Sequence, residues 1–223
     1  MSDAPSLPYA APAAAPRASD SSLPPLADAR VHALAHVPSA RMDRACYGVL
    51  CAEMARAVAA STAYRVRCAN HMVAQLRLDD PDAHVPPDLS LADQDEMASS
   101  RMDAIGRAVG AGLTERLCID RARFHDALDA AKFLCKELWS AVYDKPIDNL
   151  RTNHRGVFVL QDTAFSPLVP LDARDAPPRA YVQEHIAYAV GLLQGALERL
   201  GHVASVQTDA SVVPQCSFHV RVG

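Results

Sequence analysis

At 223 residues, half of them apolar and 22% charged, the chain has the make-up of one globular domain with a tail, or of two small domains. A formal net charge of −4 speaks against phosphate-backbone binding, which needs clustered positive charge, so no nucleic-acid partner is expected. No run approaches the ~20 apolar residues that span a bilayer, the N-terminus has no leader pattern, and Asp3, Asp20 and Asp28 argue against a transit peptide; a cytoplasmic protein with no direct membrane span is expected.

Residues 1–40 hold seven prolines and many alanines and serines without apolar periodicity. Such a segment buries too little surface to offset its ordering entropy, and a disordered tail is expected. A first helix starts near 41–43 and runs at least to 60, with Cys46, Val49 or Leu50, Met54, Ala57 and Val58 at helical spacing. The next stretch prolongs it through Val66, Val73 and Leu76, and Asp79-Asp80-Pro81 with Pro86-Pro87 marks a loop at 78–89. A second helix follows Ser90, an N-cap with Asp93 three residues on. Its stripe is Ala98, Met102, Ile105, Val109, Leu113 and Leu117, interrupted by Gly106, Gly110 and Gly112. Each glycine costs about 0.8–1 kcal/mol against alanine in a helix, so close approach of another backbone explains them better than tolerance. A third helix over 120–143 is apolar on more than half its circumference, which places it centrally.

A hairpin comes next, with strands at 150–152 and 157–161 around Asn153, His154, Arg155 and Gly156. Val157, Phe158, Val159 and Leu160 need cover on both faces or a central place in a sheet. A fourth helix spans 179–200, with Gly201 at its C-terminal cap and Gly191 and Gly195 as a second close-approach pair. Strands at 203–211 and 215–222 complete the chain; in the last, Cys216, Phe218, Val220 and Val222 alternate with polar residues. The order α-α-α-β-β-α-β-β implies an α+β fold: an antiparallel four-stranded sheet with helices packed on one face, forming one domain over 41–223.

The chemistry-bearing residues do not assemble into an active site. His125, Asp126 and Asp129 read as a solvated helix face sooner than as metal ligands. His154 locks the turn more readily than it pairs with the distant Cys216 as a nucleophile. Asp162, a candidate acid, is placed to cap the turn that ends its strand. Cys46, Cys51, Cys68, Cys118, Cys135 and Cys216 form no C-x-x-C pair and are read as reduced thiols. Gly106 to Gly112 fail as a dinucleotide loop because no strand precedes them, and no cofactor is expected. The first two helices carry more apolar face than a small sheet needs, which means either a partner or a second layer on the same core.

Several stretches resemble the subunit 6 family of the transport protein particle (TRAPP) complex. They are Ala131-Lys132-Phe133-Leu134-Cys135-Lys136-Glu137-Leu138-Trp139, Leu150-Arg151-Thr152-Asn153-His154-x-Gly156 and Val159-Leu160-Gln161-Asp162. The resemblance extends to Gly106-x-x-Val109-Gly110-x-x-Leu113, to Gly191 through Leu197, and weakly to Cys51-x-Glu53-Met54; it is absent over 1–40 and much of 61–88, which it therefore implies is an insertion. It implies the α+β fold already reached, with Arg151, Asn153, His154, Gly156 and Asp162 as the defining hairpin. It also implies a non-catalytic scaffold that dimerises with a subunit 3 type partner through the first two helices. On these helices Leu50, Met54, Val58, Ile105, Gly106, Val109, Gly110 and Leu113 become the expected partner face. The assembled complex would tether vesicles at Golgi and endoplasmic reticulum membranes and promote nucleotide exchange on a Rab GTPase. The other reading is a small-molecule or acyl-chain-binding domain of the same fold. Subunit 3 relatives carry a lipidated cysteine near the third helix; here 120–124 has none and Cys118 lies two residues earlier, so acylation is not expected.

Overall fold

A computed structural model describes residues 44–80, 84–121, 123–153, 156–169 and 179–223. The tail expected at 1–40 lies outside them. Helix α1 is Arg44–Asp79, so the residues beyond 60 continue the first helix for five more turns before the loop. Helix α2 is Leu91–Leu117 and opens with the expected cap. The Ser90 hydroxyl accepts from the Asp93 amide at 3.2 Å, while the Asp93 carboxylate accepts from the Ser90 amide at 2.7 Å. These bonds to Ser90 hold the Asp93 carboxyl below its ordinary pKa.

The third helix starts later than its apolar stripe suggests. Helix α3 comprises Ala127–Phe133, a π-helical turn at Leu134–Leu138, and Trp139–Tyr143. Asp126 is its N-cap, accepting from the Asp129 amide at 2.7 Å. Phe124 precedes the helix but still packs on Phe133, with 5.3 Å between ring centroids, and the Arg121 guanidinium lies 4.7 Å from its ring. The stripe therefore continued through a residue that reaches the core from a loop. The π turn lies where the Cys135 carbonyl accepts from the distant Ile147 amide at 2.9 Å, which ties the helix to the start of the hairpin.

Strands β1 (Asn149–Thr152), β2 (Val157–Asp162), β3 (Ala204–Asp209) and β4 (Cys216–Val222) form one antiparallel sheet in the order β1-β2-β4-β3. The central place required by the apolar run is met: β2 pairs with β1 on one side and β4 on the other. Phe158, Leu160 and Asp162 are buried, whereas Val157, Val159 and Gln161 are half-buried on the opposite face. Against the buried face pack α3 and helix α4, Arg179–Arg199. Trp139 anchors this core with ring-centroid distances of 4.5 Å to Tyr143, 5.2 Å to Phe218 and 5.7 Å to Phe165. Burying side chains of this size stabilises the fold by about 1.5–3 kcal/mol each.

Helix α2 crosses α4 at backbone contact. A Cβ added at Gly106 would meet the Tyr188 carbonyl and, at 2.9 Å, the Leu192 nitrogen; one added at Gly110 would meet the Leu192 carbonyl. From the other side, Gly191 lies against the Asp103 carbonyl and Gly195 against the Arg107 carbonyl. The two glycine pairs read from the sequence as close-approach sites thus serve each other. Arg107 closes the seam, donating to Asp103 at 2.8 Å and Glu198 at 2.6 Å, and also to Gln194.

Candidate partner interface

The eight residues expected on a partner face separate into three groups. Gly106 and Gly110 are used within the chain by the seam with α4, and Val58 is buried beneath α1 with Ala55, Ala98, Met102 and Tyr188. The family resemblance put them on the partner face, and the spacing of the glycines identifies a close-approach face without saying which helix fills it. Met54, Ile105, Val109 and Leu113 are half-buried and already packed, the first three against this small cluster and Leu113 against the main core. Leu50 is the member that faces outward, 57% exposed.

The structure adds residues that were not singled out for this face. Val49 is 60% exposed, and Tyr64 and Met72, further along α1, are each 63% exposed. The inward side of α1 is Ala55, Val58, Thr62 and Val66, all buried, at intervals of three, four and four. Arg101 of α2 braces that side, donating to the Val58 carbonyl at 3.2 Å and the Thr62 hydroxyl at 2.7 Å. Helix α1 is thus held along one edge and, among the described residues, uncovered along the other. The signal that would have found Val49 and Tyr64 is the wheel itself, since both lie opposite the Ala55–Val58–Thr62 line.

The hairpin residues do structural work. Asn153 donates its amide to the Val157 carbonyl at 3.2 Å, and its side-chain oxygen accepts from the Val157 amide at 3.1 Å. Gly156 has φ of +78° and accepts from the Val222 amide at 2.8 Å, a conformation and a closeness that exclude a side chain. Arg151 is exposed on β1 opposite Val159, and His154 lies outside the described residues.

Asp162 is fully buried at the end of β2. Its carboxylate accepts from Trp139 Nε1 at 3.0 Å, Lys145 Nζ at 2.5 Å and the Ala164 amide at 3.0 Å. The turn-capping role weighed for it is present in the bond to Ala164, and the other two donors join it to α3 and the following loop. Lys145 also reaches Asp148 at 3.2 Å, whose carboxyl is held below its ordinary pKa chiefly by the Thr163 amide and hydroxyl.

Among the described residues no group of three or more His, Cys, Asp or Glu side chains is arranged to hold a metal. His125, Asp126 and Asp129 sit at the start of α3, where Asp126 is the cap and Asp129 accepts from the His125 amide at 3.4 Å. Burial raises the Cys118 thiol above its usual pKa and pushes Cys135 and Cys216 to about 12, so these sulfurs are protonated at neutral pH. An open groove of ≈ 1150 Å³ runs between α2 and α4, with Asp95, Glu96 and Asp103 on one wall and Val182 and Ile186 on the other. Its openness leaves a bound small molecule in water, unlike the enclosing sites such ligands use.

Residues 49–223 match the family model for the transport protein particle (TRAPP) component. Trafficking protein particle complex subunit 6B of Mus musculus is 41% identical over 135 residues, covering 59% of this chain and 85% of that protein. Subunit 6A of Homo sapiens is 40% identical over 154 residues, covering 68% of this chain and 90% of that one. Among solved structures, trafficking protein particle complex subunit 3 of Naegleria fowleri, covalently bound to palmitic acid, has a TM-score of 0.46 and 14% identity over 73% of this chain and 95% of its own. No helix among the described residues is long and apolar enough to cross a membrane. The chain belongs to the TRAPP component family, and its likeness within that family is to subunit 6.

Proposed function

We propose that this chain is a non-catalytic structural subunit of a TRAPP vesicle-tethering complex. It pairs with a subunit 3 type partner through the outer edge of α1 and the adjoining edge of α2. In the assembled core it supports Rab guanine nucleotide exchange in traffic between endoplasmic reticulum and Golgi, as a cytoplasmic protein peripheral to those membranes. The observation that carries this reading is the one-sided packing of α1. Ala55, Val58 and Thr62 are buried on one side, while Val49 and Leu50 stand in solvent on the other. A stable heterodimer covers roughly 1,600 Å² in total, and this edge supplies apolar surface the monomer leaves uncovered. The acyl-binding alternative is disfavoured by an interior filled by Trp139, Tyr143, Phe165 and Phe218 in mutual ring contact.

Co-purification with a subunit 3 type protein tests the proposal. Val49→Asp and Leu50→Asp change exposed positions, so both variants keep the wild-type circular dichroism and urea midpoint while losing the partner. They are cleaner than Val109→Asp or Leu113→Asp, because Val109 and Leu113 also pack inside the chain. Retention of the partner at wild-type levels by both folded variants would refute the interface. An acyl adduct on Cys118 in the intact mass of the purified protein would favour the alternative.

A further inference from the structure

Helix α1 carries a second seam that continues far beyond its first turns. Leu50, Met54, Ala57, Ser61, Tyr64, Cys68 and Met72 follow one another at intervals of four, three, four, three, four and four. That spacing averages about 3.7 residues, close to the 3.6-residue turn, so the seven side chains stay in one line along a nearly straight helix. All but Met54 and Cys68 are exposed, and those two are half-buried. From Leu50 to Met72 the seam is about 33 Å long at 1.5 Å per residue.

This length is presented in a fixed geometry. Asn70 clamps the return loop, with its side-chain amide donating to the Leu89 carbonyl at 2.9 Å and its oxygen accepting from the Leu89 amide at 2.8 Å. Arg77 holds the same loop through Asp88 at 3.1 Å and the Pro86 carbonyl at 3.2 Å. Because α2 begins only at Leu91, beside Asn70, the last turns of α1 overhang it, and Leu76 stays 51% exposed. On the helical wheel Arg65 and Arg67 border the seam on opposite sides, both exposed, and neither forms an ion pair among the described residues. Beyond residue 60, where α1 carries no carboxylate before Asp79, apolar or small residues in the middle with cations on both rims make the complement of an amphipathic helix edged with carboxylates.

We infer that the partner face of α1 runs on through Tyr64 and Met72, where it receives an acid-edged helix of the same partner chain that covers Leu50. This rests on the heterodimer reading above and deepens it, because it assigns the residues beyond 60 to recognition as well as to the fold.

Titration of the full chain with its subunit 3 type partner by calorimetry at two salt concentrations separates the two claims. Tyr64→Glu with Met72→Glu is expected to weaken binding at least tenfold while the urea midpoint stays put. Arg65→Glu with Arg67→Glu is expected to weaken it less and to flatten the salt dependence. Tyr64→Ala with Met72→Ala repeats the first test with residues that favour the helix, so that misfolding cannot imitate lost binding. If the Tyr64 and Met72 variants bind like wild type while Leu50→Asp has lost the partner, the extended seam is refuted and the heterodimer stands. If Leu50→Asp also binds like wild type, both fall.

Discussion

Two helices of similar exposure to the sequence reader are held in opposite ways. Helix α2 is locked along its seam with α4: backbone meets backbone where Gly106 and Gly110 of α2 face Gly191 and Gly195 of α4, and Arg107 ties off the edge. Helix α1 touches the rest of the domain along one line of small and β-branched side chains and shows Val49, Leu50, Tyr64, Met72 and Leu76 to water. The lesson is about which surface is available. Apolar periodicity marks both helices alike, but only steric closeness shows that the glycine face of α2 is spent inside the chain, leaving the outer edge of α1, with the edge of α2 beside it, as the surface on offer.

The sharpest way to probe the locked region is at its deepest polar contact. Asp162→Ala removes the acceptor for the Trp139 indole, the Lys145 ammonium and the Ala164 amide at once. Unpaired buried donors of this kind cost about 3 kcal/mol or more, read as a lower urea midpoint with an unchanged slope. Asp162→Asn keeps an acceptor oxygen for one of the donors and should fall between the alanine variant and wild type. An alanine variant as stable as wild type would mean that the buried carboxylate contributes nothing to holding α3 on the sheet.

Next comes the glycine seam. Gly195→Ala drives a methyl group into the Arg107 carbonyl, and the two helices must part to admit it. Overpacking typically costs about 1–3 kcal/mol, and a rigid backbone gives less easily than a side chain, so the upper end is expected. Gly112 is the internal control. It lies on α2, the helix that Gly195 of α4 packs against, but a Cβ there meets nothing within 4 Å. Gly112→Ala should therefore gain about 0.8–1 kcal/mol from helix propensity alone. Equal effects at Gly195 and Gly112 would remove the distinction between a seam and a merely tolerated glycine. On the free helix, Leu76→Ala should change stability by less than about 0.5 kcal/mol, since the side chain is half exposed and packs on little.

How far the sequence was legible follows from the same physics. Strand alternation in Cys216–Val222 and the Asn153 to Gly156 turn are local signals, and both elements stand where they were read. The pairing of β2 with β4 depended on topology, yet the apolar run from Val157 to Leu160 already demanded a central strand. Two features had no local trace. The π turn at Leu134–Leu138 is matched by an amide at Ile147, and the late start of α3 at Ala127 was hidden because Phe124 joins the core from outside the helix. For the candidate interface, the spacing of Gly106 and Gly110 declared a close neighbour, but its identity as α4 rather than another chain was a three-dimensional fact.

The locked region also varies along its length, and pH gives a small, separable reading of that. At the N-terminal half of α4, Glu184 and His185 are adjacent and both buried. Burial depresses the His185 pKa, and its Nδ1 lies 2.8 Å from the Tyr181 carbonyl. The unfolded chain therefore takes up a proton that the folded one refuses, so His185 supplies stability above its ordinary pKa that is lost as pH falls below about 6.5. Glu184 has the opposite sign: burial, then the nearby Asp95, raises its carboxyl, so its contribution is present at low pH and is lost as pH rises above the ordinary carboxyl range. Between pH 7.5 and 5.5 the urea midpoint of His185→Gln should fall less than that of wild type. Glu184→Gln should lose the gain in stability that acidification through the carboxyl range gives the wild type, because the opposing slope has been removed. If both variants follow the wild-type curve, neither group changes its protonation on unfolding and this end of α4 is open to water in a way the rest of the seam is not.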